Sequence, residues 1–232
     1  MSNLIARDVS YTYQTKKRIV KALNGLSYEF VSGKLYAILG KSGSGKTTLL
    51  SLLAGLDLPK EGEVLLDGVS TSVCNRDDLR RDRIAVIYQD YNLFPLLTVL
   101  ENVLYPLKLK KIPTEAARKI AKEKLQAVDL SEDCHKRFPH MLSGGEQQRV
   151  AIARALAGSG DIILADEPTG NLDTENGKNI ICILKNLAHA ENYCIIIVTH
   201  DIGITEEADI LLRMQDGVLA NCVPGICGSR LS

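Results

Sequence analysis

Eight consecutive residues at positions 40–47 have the types and the spacing that bind phosphate. They read Gly-Lys-Ser-Gly-Ser-Gly-Lys-Thr and fit the pattern G-x-x-x-x-G-K-[ST] at every fixed position. Glycines let the backbone turn around an anion without a Cβ in the way, so that successive N–H groups point inward. Lys46 can then reach the outer phosphates of a nucleoside triphosphate, and the Thr47 hydroxyl can bind Mg²⁺. The predicted nucleotide contacts are Gly40, Lys41, Ser42, Gly43, Ser44, Gly45, Lys46, Thr47 and Thr48.

The residues around this loop distinguish a phosphate site from a surface turn rich in glycine and serine. An apolar run of strand length, Leu35–Leu39, precedes the loop, and a predicted helix follows it. A strand, a glycine-rich turn and a helix N-terminus together form an anion site, because the helix dipole adds positive charge to the inward N–H groups. We therefore favour the phosphate site. The leucines of that helix are Leu49, Leu50, Leu52 and Leu53.

Two adjacent carboxylates follow another apolar run, Ile162–Ala165. Asp166 is in the position that holds Mg²⁺ in phosphate-loop proteins, and Glu167 could polarise a water for attack on the terminal phosphate. The structural alternative is that both acids only begin the next helix. Beside a phosphate loop we favour the catalytic interpretation, and the second acid predicts hydrolysis in addition to binding.

A second glycine motif begins a predicted helix at Ser143, Gly144, Gly145, Glu146 and Gln147. Ser143 and Glu146 fit a capping box, which is a purely structural explanation. A capping box does not need two glycines, however, and glycines at a helix start permit close approach to an anion.

Apolar runs of strand length each end in polar residues, which predicts a parallel sheet with a site at one edge. Such runs indicate strands buried on both faces, and ligands bind at the carboxyl ends of parallel strands. The runs are Leu35–Leu39, Ile84–Tyr88, Ile162–Ala165 and Cys194–Val198.

The remaining segments predict an antiparallel β region and a helical insertion. Leu26, Tyr28 and Phe30 alternate with polar residues, a pattern that is typical of a half-buried strand. Asp67-Gly68 after an apolar run predicts a hairpin. Residues from about 93 to 158 are predicted to be helical. One predicted helix there begins after an N-cap at Thr114 and has an apolar face formed by Ala117, Ile120, Ala121, Leu125 and Val128.

Composition limits the possible classes of function. The 232 residues carry 28 basic and 28 acidic side chains, so no basic excess favours nucleic acid as a partner. No apolar run approaches the roughly 20 residues that cross a bilayer. The six cysteines include no C-x-x-C pair, and we expect reduced thiols in a cytosolic setting.

These motifs, in this order, resemble the ABC ATPases over about residues 4–219. Tyr13 is similar to the aromatic residue that stacks on adenine, and Gln89 stands where the sheet joins the helical insertion. Residues 170–173, Gly-Asn-Leu-Asp, and 199–201, Thr-His-Asp, match further family motifs. The resemblance implies an α/β fold in one domain over residues 1–232. This domain has a phosphate-loop ATPase core with a mostly parallel sheet, an N-terminal antiparallel β subdomain and an inserted helical subdomain at about 93–158.

The resemblance also implies a role for each site residue, with ATP and Mg²⁺ as cofactors. Glu167 is expected to be the catalytic base, His200 to hold the terminal phosphate and orient water, and Gln89 to sense Mg²⁺ and water. The implied metal ligands are Thr47, Gln89 and Asp166. Residues Ser143, Gly144, Gly145, Glu146 and Gln147 are implied to complete the ATP site of a facing subunit, which Asp173 also contacts.

Within the family, residues 167–173 and Gly55-Leu56-Asp57 resemble one branch. It comprises the lipoprotein-release, macrolide-export and antimicrobial-peptide-resistance ATPases, together with the cell-division ATPase. The resemblance implies an ATPase subunit that powers export or extraction of a lipid, peptide or drug through a separate transmembrane permease. It would act at the cytoplasmic face of the membrane, with a homodimer as the simpler arrangement.

Other functions are compatible with parts of the sequence. A phosphate-loop kinase or GTPase would leave residues 143–147 unexplained, and the guanine-reading pattern N-K-x-D is absent from the sequence. A ribosome or DNA-repair ABC protein usually carries two cassettes or a long coiled-coil insertion. A cell-division-type ATPase, which signals without moving a solute, would use the same site and stays open. The apolar cluster Leu93, Phe94, Leu96 and Leu97 forms either a groove for a short helix of the membrane partner or ordinary packing.

Overall fold

A computed structural model describes residues 2–14, 19–158 and 160–222, which form ten strands and six α-helices. The strands are β1 (Asn3–Gln14), β2 (Ile19–Val31), β3 (Lys34–Leu39), β4 (Glu61–Leu66), β5 (Val69–Ser70), β6 (Ile84–Ile87), β7 (Ile162–Asp166), β8 (Cys194–Thr199), β9 (Ile210–Gln215) and β10 (Val218–Asn221). The helices are α1 (Lys46–Leu53), α2 (Arg76–Asp82), α3 (Val99–Leu109), α4 (Thr114–Ala127), α5 (Gly144–Gly158) and α6 (Thr174–Ala190).

A six-stranded sheet forms the centre of the fold, in the order β10-β9-β3-β8-β7-β6. All neighbouring pairs from β9 to β6 are parallel, and only β10 runs antiparallel to its neighbour. The carboxyl ends of β3, β8 and β7 therefore lie side by side, so that Leu39 pairs with Thr199 and Asp166 pairs with Val198. This confirms the predicted mostly parallel sheet.

The side chains of the parallel strands alternate between two hydrophobic cores. Ile162 and Leu164 of β7 pack in one core with the leucines of α1 and residues of β1, β2 and β4. Ile163 and Ala165 face the other core, which contains residues of α3, α4, α5 and α6. Because both faces are covered, these strands are apolar at nearly every position, and this is the pattern that the sequence shows.

The N-terminal part of the chain forms a separate antiparallel sheet, in the order β2-β1-β4-β5. Leu66 pairs with Val69 across a two-residue turn, in which Asp67 and Gly68 have φ of 50° and 82°. Two left-handed residues at these positions match the twist of the strands, which confirms the predicted hairpin. The predicted α/β class with an additional antiparallel sheet is thus confirmed.

Helices α3, α4 and α5 lie between β6 and β7 in the chain and pack on one another. Helix α4 buries Ala117, Ala121 and Leu125 as predicted, but its N-cap is Pro113, so the prediction of Thr114 is wrong by one residue. The Pro113 carbonyl accepts the first helical hydrogen bond, from the Ala117 amide at 2.9 Å, so Thr114 already has helical geometry. The single domain over residues 1–232, with its helical subdomain at 93–158, extends beyond the residues described and stays a prediction.

The cysteines and the apolarity of the helices test the expectations drawn from composition. Cys74, Cys134, Cys182 and Cys194 are free thiols, whereas Cys222 is disulfide-bonded, so reduced thiols are the wrong expectation for that residue. Within 2–14, 19–158 and 160–222, no helix combines the length and the apolarity that crossing a membrane requires.

The two-core arrangement predicts how a central leucine contributes to stability. Leu164 is fully buried, so Leu164→Ala is expected to lower the free energy of unfolding by about 2–5 kcal/mol, because it leaves a cavity in a packed core. The matched control is Leu96→Ala, whose side chain is 86% exposed and whose effect is expected to stay within about 0.5 kcal/mol. Urea unfolding followed by circular dichroism measures both variants, and an equal loss in the two would contradict the assignment of the core.

Candidate active site

The predicted phosphate loop connects β3 to α1 at the carboxyl edge of the six-stranded sheet. Gly45 is the N-cap of α1, with φ of 108°, and Lys46 is the first residue of the helix. The Lys46 side chain is largely buried, and its Nζ donates hydrogen bonds to the carbonyl oxygens of Gly40 at 2.7 Å and Lys41 at 3.0 Å. The ammonium group is therefore held over the loop whose N–H groups are predicted to bind phosphate.

Close packing against the backbone explains why glycine stands at the two ends of this loop. A Cβ on Gly45 would lie 2.4 Å from the carbonyl oxygen of Ala22, and one on Gly40 would lie 2.6 Å from that of Met214. Neither carbonyl can move without disturbing its strand. The loop thus sits directly on β2 and β9, which fixes the path of its backbone.

A cavity of about 460 Å³ lies along the phosphate loop and brings the end of β8 to it. Its walls come from the loop itself, from His200 and the turn that follows, and from β9 with Asp216. The structure therefore brings His200 and the phosphate loop to one cavity, although about 150 residues separate them in the sequence.

Asp166 ends β7 beside the start of α1. The Thr47 side chain interacts with the Asp166 carboxyl group. Burial raises the pKa of Asp166, and the negative charge of Glu167 adds to this effect, while Thr47 and the Lys46 charge oppose it. A hydroxyl and a carboxylate at one point are oxygen ligands of the kind that Mg²⁺ takes, so this pair fits the implied cation.

Glu167 has an unusual backbone and three hydrogen-bond partners. Its φ of 47° is left-handed, a conformation that is rare for residues other than glycine and that often occurs at functional sites. The carboxylate accepts a bond from the Thr199 hydroxyl at 3.0 Å and from the His200 amide at 3.4 Å. The His200 Nδ1 lies 2.8 Å from the other carboxylate oxygen. The structure thus joins the predicted base directly to the predicted phosphate-binding histidine.

Gln89 lies against the loop that follows Glu167. A Cβ on Gly170 would be 3.1 Å from Gln89 Nε2, so the glutamine side chain packs closely on this glycine. The Asn171 side-chain amide donates to the Gln89 carbonyl at 3.0 Å. The described contacts of Gln89 are with this loop, and its implied contact with Mg²⁺ stays a prediction.

Tyr13 lies near the end of β1, next to the first turn of α1. Its hydroxyl is 3.2 Å from Thr48 Oγ1, and its ring centroid is 4.9 Å from that of Tyr11 in an edge-to-face arrangement. Tyr11 in turn hydrogen-bonds Asp57, and this bond raises the pKa of Tyr11 to about 12 and lowers the pKa of Asp57. The phenol ring is therefore held beside the phosphate loop with about half of its surface exposed.

The second glycine motif forms the predicted capping box. The Glu146 amide donates to Ser143 Oγ at 3.3 Å, and the Ser143 amide donates to Glu146 Oε2 at 2.7 Å. This amide bond is the main reason why the pKa of Glu146 is lowered. Gln147 Nε2 donates to the Leu142 carbonyl at 3.2 Å. The structural explanation is thus correct, and it leaves the two glycines at the helix start unexplained.

Gly144 does not face the phosphate loop of its own chain. The atoms nearest to a Cβ built there are the Tyr91 hydroxyl at 3.0 Å, the Leu172 side chain at 3.3 Å and the Asn171 carbonyl at 3.6 Å. Asp173, the predicted contact to a facing subunit, caps α6 in its own chain and accepts bonds from the Asn176 amide at 2.9 Å and its side chain at 2.7 Å. The intermolecular roles of these residues stay predictions.

Sequence reasoning assigned no role to several residues that the structure joins to the site. Thr199 binds the Glu167 carboxylate, and the Tyr11–Asp57 pair supports Tyr13. Both Thr199 and Asp57 stand inside motifs that carry the family resemblance, which was the available signal. Arg154 had no such signal, because its contacts are to backbone atoms about 60 residues away.

Comparison with known proteins agrees with this geometry. The ABC transporter family model matches residues 23–170. An uncharacterised ABC transporter ATP-binding protein of Methanocaldococcus jannaschii is 42% identical over 217 residues, covering 91% of this chain and 92% of that protein. The chain belongs to the ABC transporter family. A lipoprotein-releasing system ATP-binding protein, LolD 2 of Rhodopirellula baltica, is 41% identical over 234 residues, covering 97% of this chain and 91% of that protein. It confirms the predicted branch.

A solved structure of the M. jannaschii ATP-binding cassette has the same fold. Its TM-score with this chain is 0.86 at 39% identity, and the alignment covers 94% of this chain and 98% of that one. That structure is dimeric and represents a post-hydrolysis state bound to ADP and Pi.

The packing of Gly45 predicts a defect from one added methyl group. Gly45→Ala is expected to lower the unfolding free energy by about 1–3 kcal/mol and to weaken ATP binding, because the left-handed residue is strained and its Cβ meets a backbone carbonyl. Urea unfolding and ATP titration measure the two effects. The control is Gly177→Ala in α6, where a Cβ would make ordinary contact with Thr169 at 3.6 Å, so unchanged or higher stability is expected. An unchanged stability and ATP affinity for Gly45→Ala would contradict the close packing of the loop.

Proposed function

We propose that the chain binds and hydrolyses ATP as the nucleotide-binding subunit of an ABC transporter. The observation that carries the proposal is the meeting of three groups at one sheet edge: the phosphate loop with Lys46, the Thr47–Asp166 pair, and Glu167 bonded to His200. The relative bound to ADP and Pi supports the same chemistry at this edge.

Nucleotide binding uses three sets of groups. The loop N–H groups and Lys46 bind the phosphates, and the positive end of α1 adds to their attraction. Tyr13 offers an aromatic face on which adenine stacks. Thr47, Asp166 and Gln89 would hold Mg²⁺, which neutralises charge on the transferred phosphoryl group when it is bound.

Hydrolysis depends on Glu167 and His200. The Glu167 carboxylate accepts a proton from the attacking water, whose oxygen forms a bond to the terminal phosphorus of ATP. The bond from that phosphorus to the bridging oxygen breaks, and ADP leaves with the electron pair. His200 holds the phosphate and fixes the carboxylate through the 2.8 Å contact at Nδ1. Thr199 binds the other oxygen of the carboxylate, so the base keeps one orientation.

We infer further that two copies of the chain complete each site. A Cβ built on Gly144 would meet Tyr91, Asn171 and Leu172 of its own chain and not the phosphate loop, so the glycine motif does not complete its own ATP site. A helix N-terminus with two glycines suits the terminal phosphate of ATP bound by a facing subunit. The dimeric state of the solved relative supports this arrangement.

A transmembrane permease is the expected partner of an exposed apolar surface, which we name the 94–109 surface. It consists of Phe94, Leu96, Tyr105 and Leu109, which are 39%, 86%, 40% and 55% exposed. The Phe94 and Tyr105 rings pack in a tilted arrangement with their centroids 4.6 Å apart. A short apolar helix of a permease would cover it and hold the chain at the cytoplasmic face of the membrane. The lipoprotein-releasing relative favours export or extraction of a substrate.

ATP turnover tests the proposed site and its dimeric form together. We expect activity per molecule to rise with protein concentration, because each site needs a second chain. Glu167→Gln keeps the shape of the side chain but removes the base, so turnover is expected to fall by about 10²–10⁴-fold while ATP binding remains. Steady-state phosphate release and equilibrium ATP binding measure the two properties. Wild-type turnover in the Glu167→Gln variant would exclude Glu167 as the base.

Binding of the transmembrane subunit tests the assignment of the 94–109 surface. Leu96→Asp is preferable to a change at Phe94, because Phe94 packs on Tyr105 whereas Leu96 is almost fully exposed. We expect this variant to lose about tenfold or more in affinity for the co-expressed transmembrane subunit, because it places a charge in a desolvated contact. Val73→Asp, at another position that is 77% exposed, is the matched control. Equal recovery of the transmembrane subunit with Leu96→Asp and the control would contradict the assignment of this surface.

A further inference from the structure

Arg154 of α5 is a partly buried cation that binds backbone carbonyls instead of a carboxylate. Its Nη1 donates to the Asn92 carbonyl at 2.6 Å, and its Nη2 donates to the Tyr91 carbonyl at 3.0 Å. No acid pairs with it in the part of the chain that the structure covers. Burial lowers the pKa of Arg154, which reflects the unfavourable removal of the guanidinium from water. Because no ion pair within the described residues offsets this removal from water, we ask what the two bonds to backbone carbonyls achieve.

The two carbonyls converge on one guanidinium because of an uncommon backbone. Tyr91 and Asn92 are both left-handed, with φ of 60° and 47°. Successive residues of helical type point their carbonyls to the same side, whereas those of a strand alternate. A left-handed backbone at a residue other than glycine is unfavourable and persists only where its surroundings determine it. The planar fork of arginine, with two parallel donors, is suited to hold this pair.

Residues 89–94, which we name the 89–94 segment, are also anchored at both ends. At its start the Gln89 carbonyl accepts a bond from Asn171, in the loop that follows Glu167. At its end the fully buried Asn102 of α3 bonds both the amide of Phe94, at 2.8 Å, and its carbonyl, at 3.2 Å. Arg154 binds the middle of the segment and connects it to α5.

Arg154 connects the 89–94 segment to the same helix that carries the glycine motif at its start. Helix α5 begins at Gly144, the residue expected to meet the ATP of the facing subunit, and the Tyr91 hydroxyl lies against that glycine. The Arg154 guanidinium also lies 5.9 Å over the ring of Phe94, at the edge of the 94–109 surface. Arg154 thus belongs to the helix of the glycine motif, binds the 89–94 segment and lies at the edge of the 94–109 surface.

We propose that Arg154 is a positioning residue that makes the 89–94 segment and α5 move as one unit. This inference rests on the proposed function, because it concerns how the state of one ATP site reaches the glycine motif and the permease. A nucleotide that shifts Gln89 would then also shift α5, and hydrolysis would depend on the rigidity of that connection. Arg154 itself touches no nucleotide.

Hydrogen exchange without nucleotide tests the physical connection. Arg154→Lys keeps the charge but replaces the fork by a single ammonium group. We expect the amides of the 89–94 segment to exchange about fivefold or more faster in this variant, with little change elsewhere. The matched control is Arg149→Lys on the same helix, because Arg149 donates to the Val128 carbonyl at 2.7 Å and not to this segment. Unchanged exchange in the segment would overturn the proposal, whatever the chain does with ATP.

Turnover measures whether the connection matters for the reaction. Arg154→Lys is expected to lower kcat by about tenfold and to leave ATP affinity within about twofold, because the chain's own phosphate loop is not altered. In a Gln89→Ala background the same change is expected to cost less than about twofold, because the route through the segment is already broken. Additive effects of the two changes would overturn the coupling role. A purely structural role would lower stability without this dependence on Gln89.

Failure of the proposed function and failure of the Arg154 proposal give different results. A wild-type chain that neither binds nor hydrolyses ATP would contradict the proposed function, while the exchange experiment would still decide the Arg154 connection. Should Arg154→Lys fail to fold, Arg154→Gln replaces it, because an uncharged amide needs no removal of charge from water and still donates to one carbonyl. Faster exchange in the 89–94 segment of that variant supports the proposal, and unchanged exchange contradicts it.

Discussion

The parallel pairing of β3, β8, β7 and β6 is the constraint on which the rest of the structure depends. Because these strands run the same way, Leu39, Asp166 and Thr199 end at one edge, and the phosphate loop, the acidic pair and His200 follow directly. Parallel strands need crossover connections, and the helices that supply them cover both faces of the sheet. The same geometry therefore explains the apolar strands, the two cores and the location of the site.

The features that sequence reasoning predicted well are local ones. The hairpin at Asp67-Gly68 and the capping box of Ser143 and Glu146 each depend on residues within a few positions. The apolar strands were also predictable, although each extends a residue beyond or short of the predicted run. The N-cap prediction at Thr114 was wrong because Pro113 supplies the first carbonyl without a side-chain cap, and a pattern based on capping side chains passes over it.

The contacts that escaped prediction join distant parts of the chain through groups without a sequence pattern. The bond from Thr199 to Glu167 depends on the register of β8 against β7, in which Asp166 pairs with Val198 and the Glu167 amide donates to the Val198 carbonyl. Arg154 reaches two carbonyls that any residue could supply, so only the geometry identifies them. Helix periodicity places Arg154 on α5 but does not indicate what its side chain meets.

Several features of the site are unfavourable for an isolated chain. Asp166 is a partly buried carboxyl group beside a second carboxylate, and Glu167 has a left-handed φ. They persist because β7 and β8 are buried on both faces and over-determine the backbone. Two adjacent acids repel phosphate, and a divalent cation held by Asp166 would offset that repulsion. Under the proposed function, the same edge that binds the phosphates through Lys46 therefore favours the magnesium complex of a nucleotide over the free nucleotide.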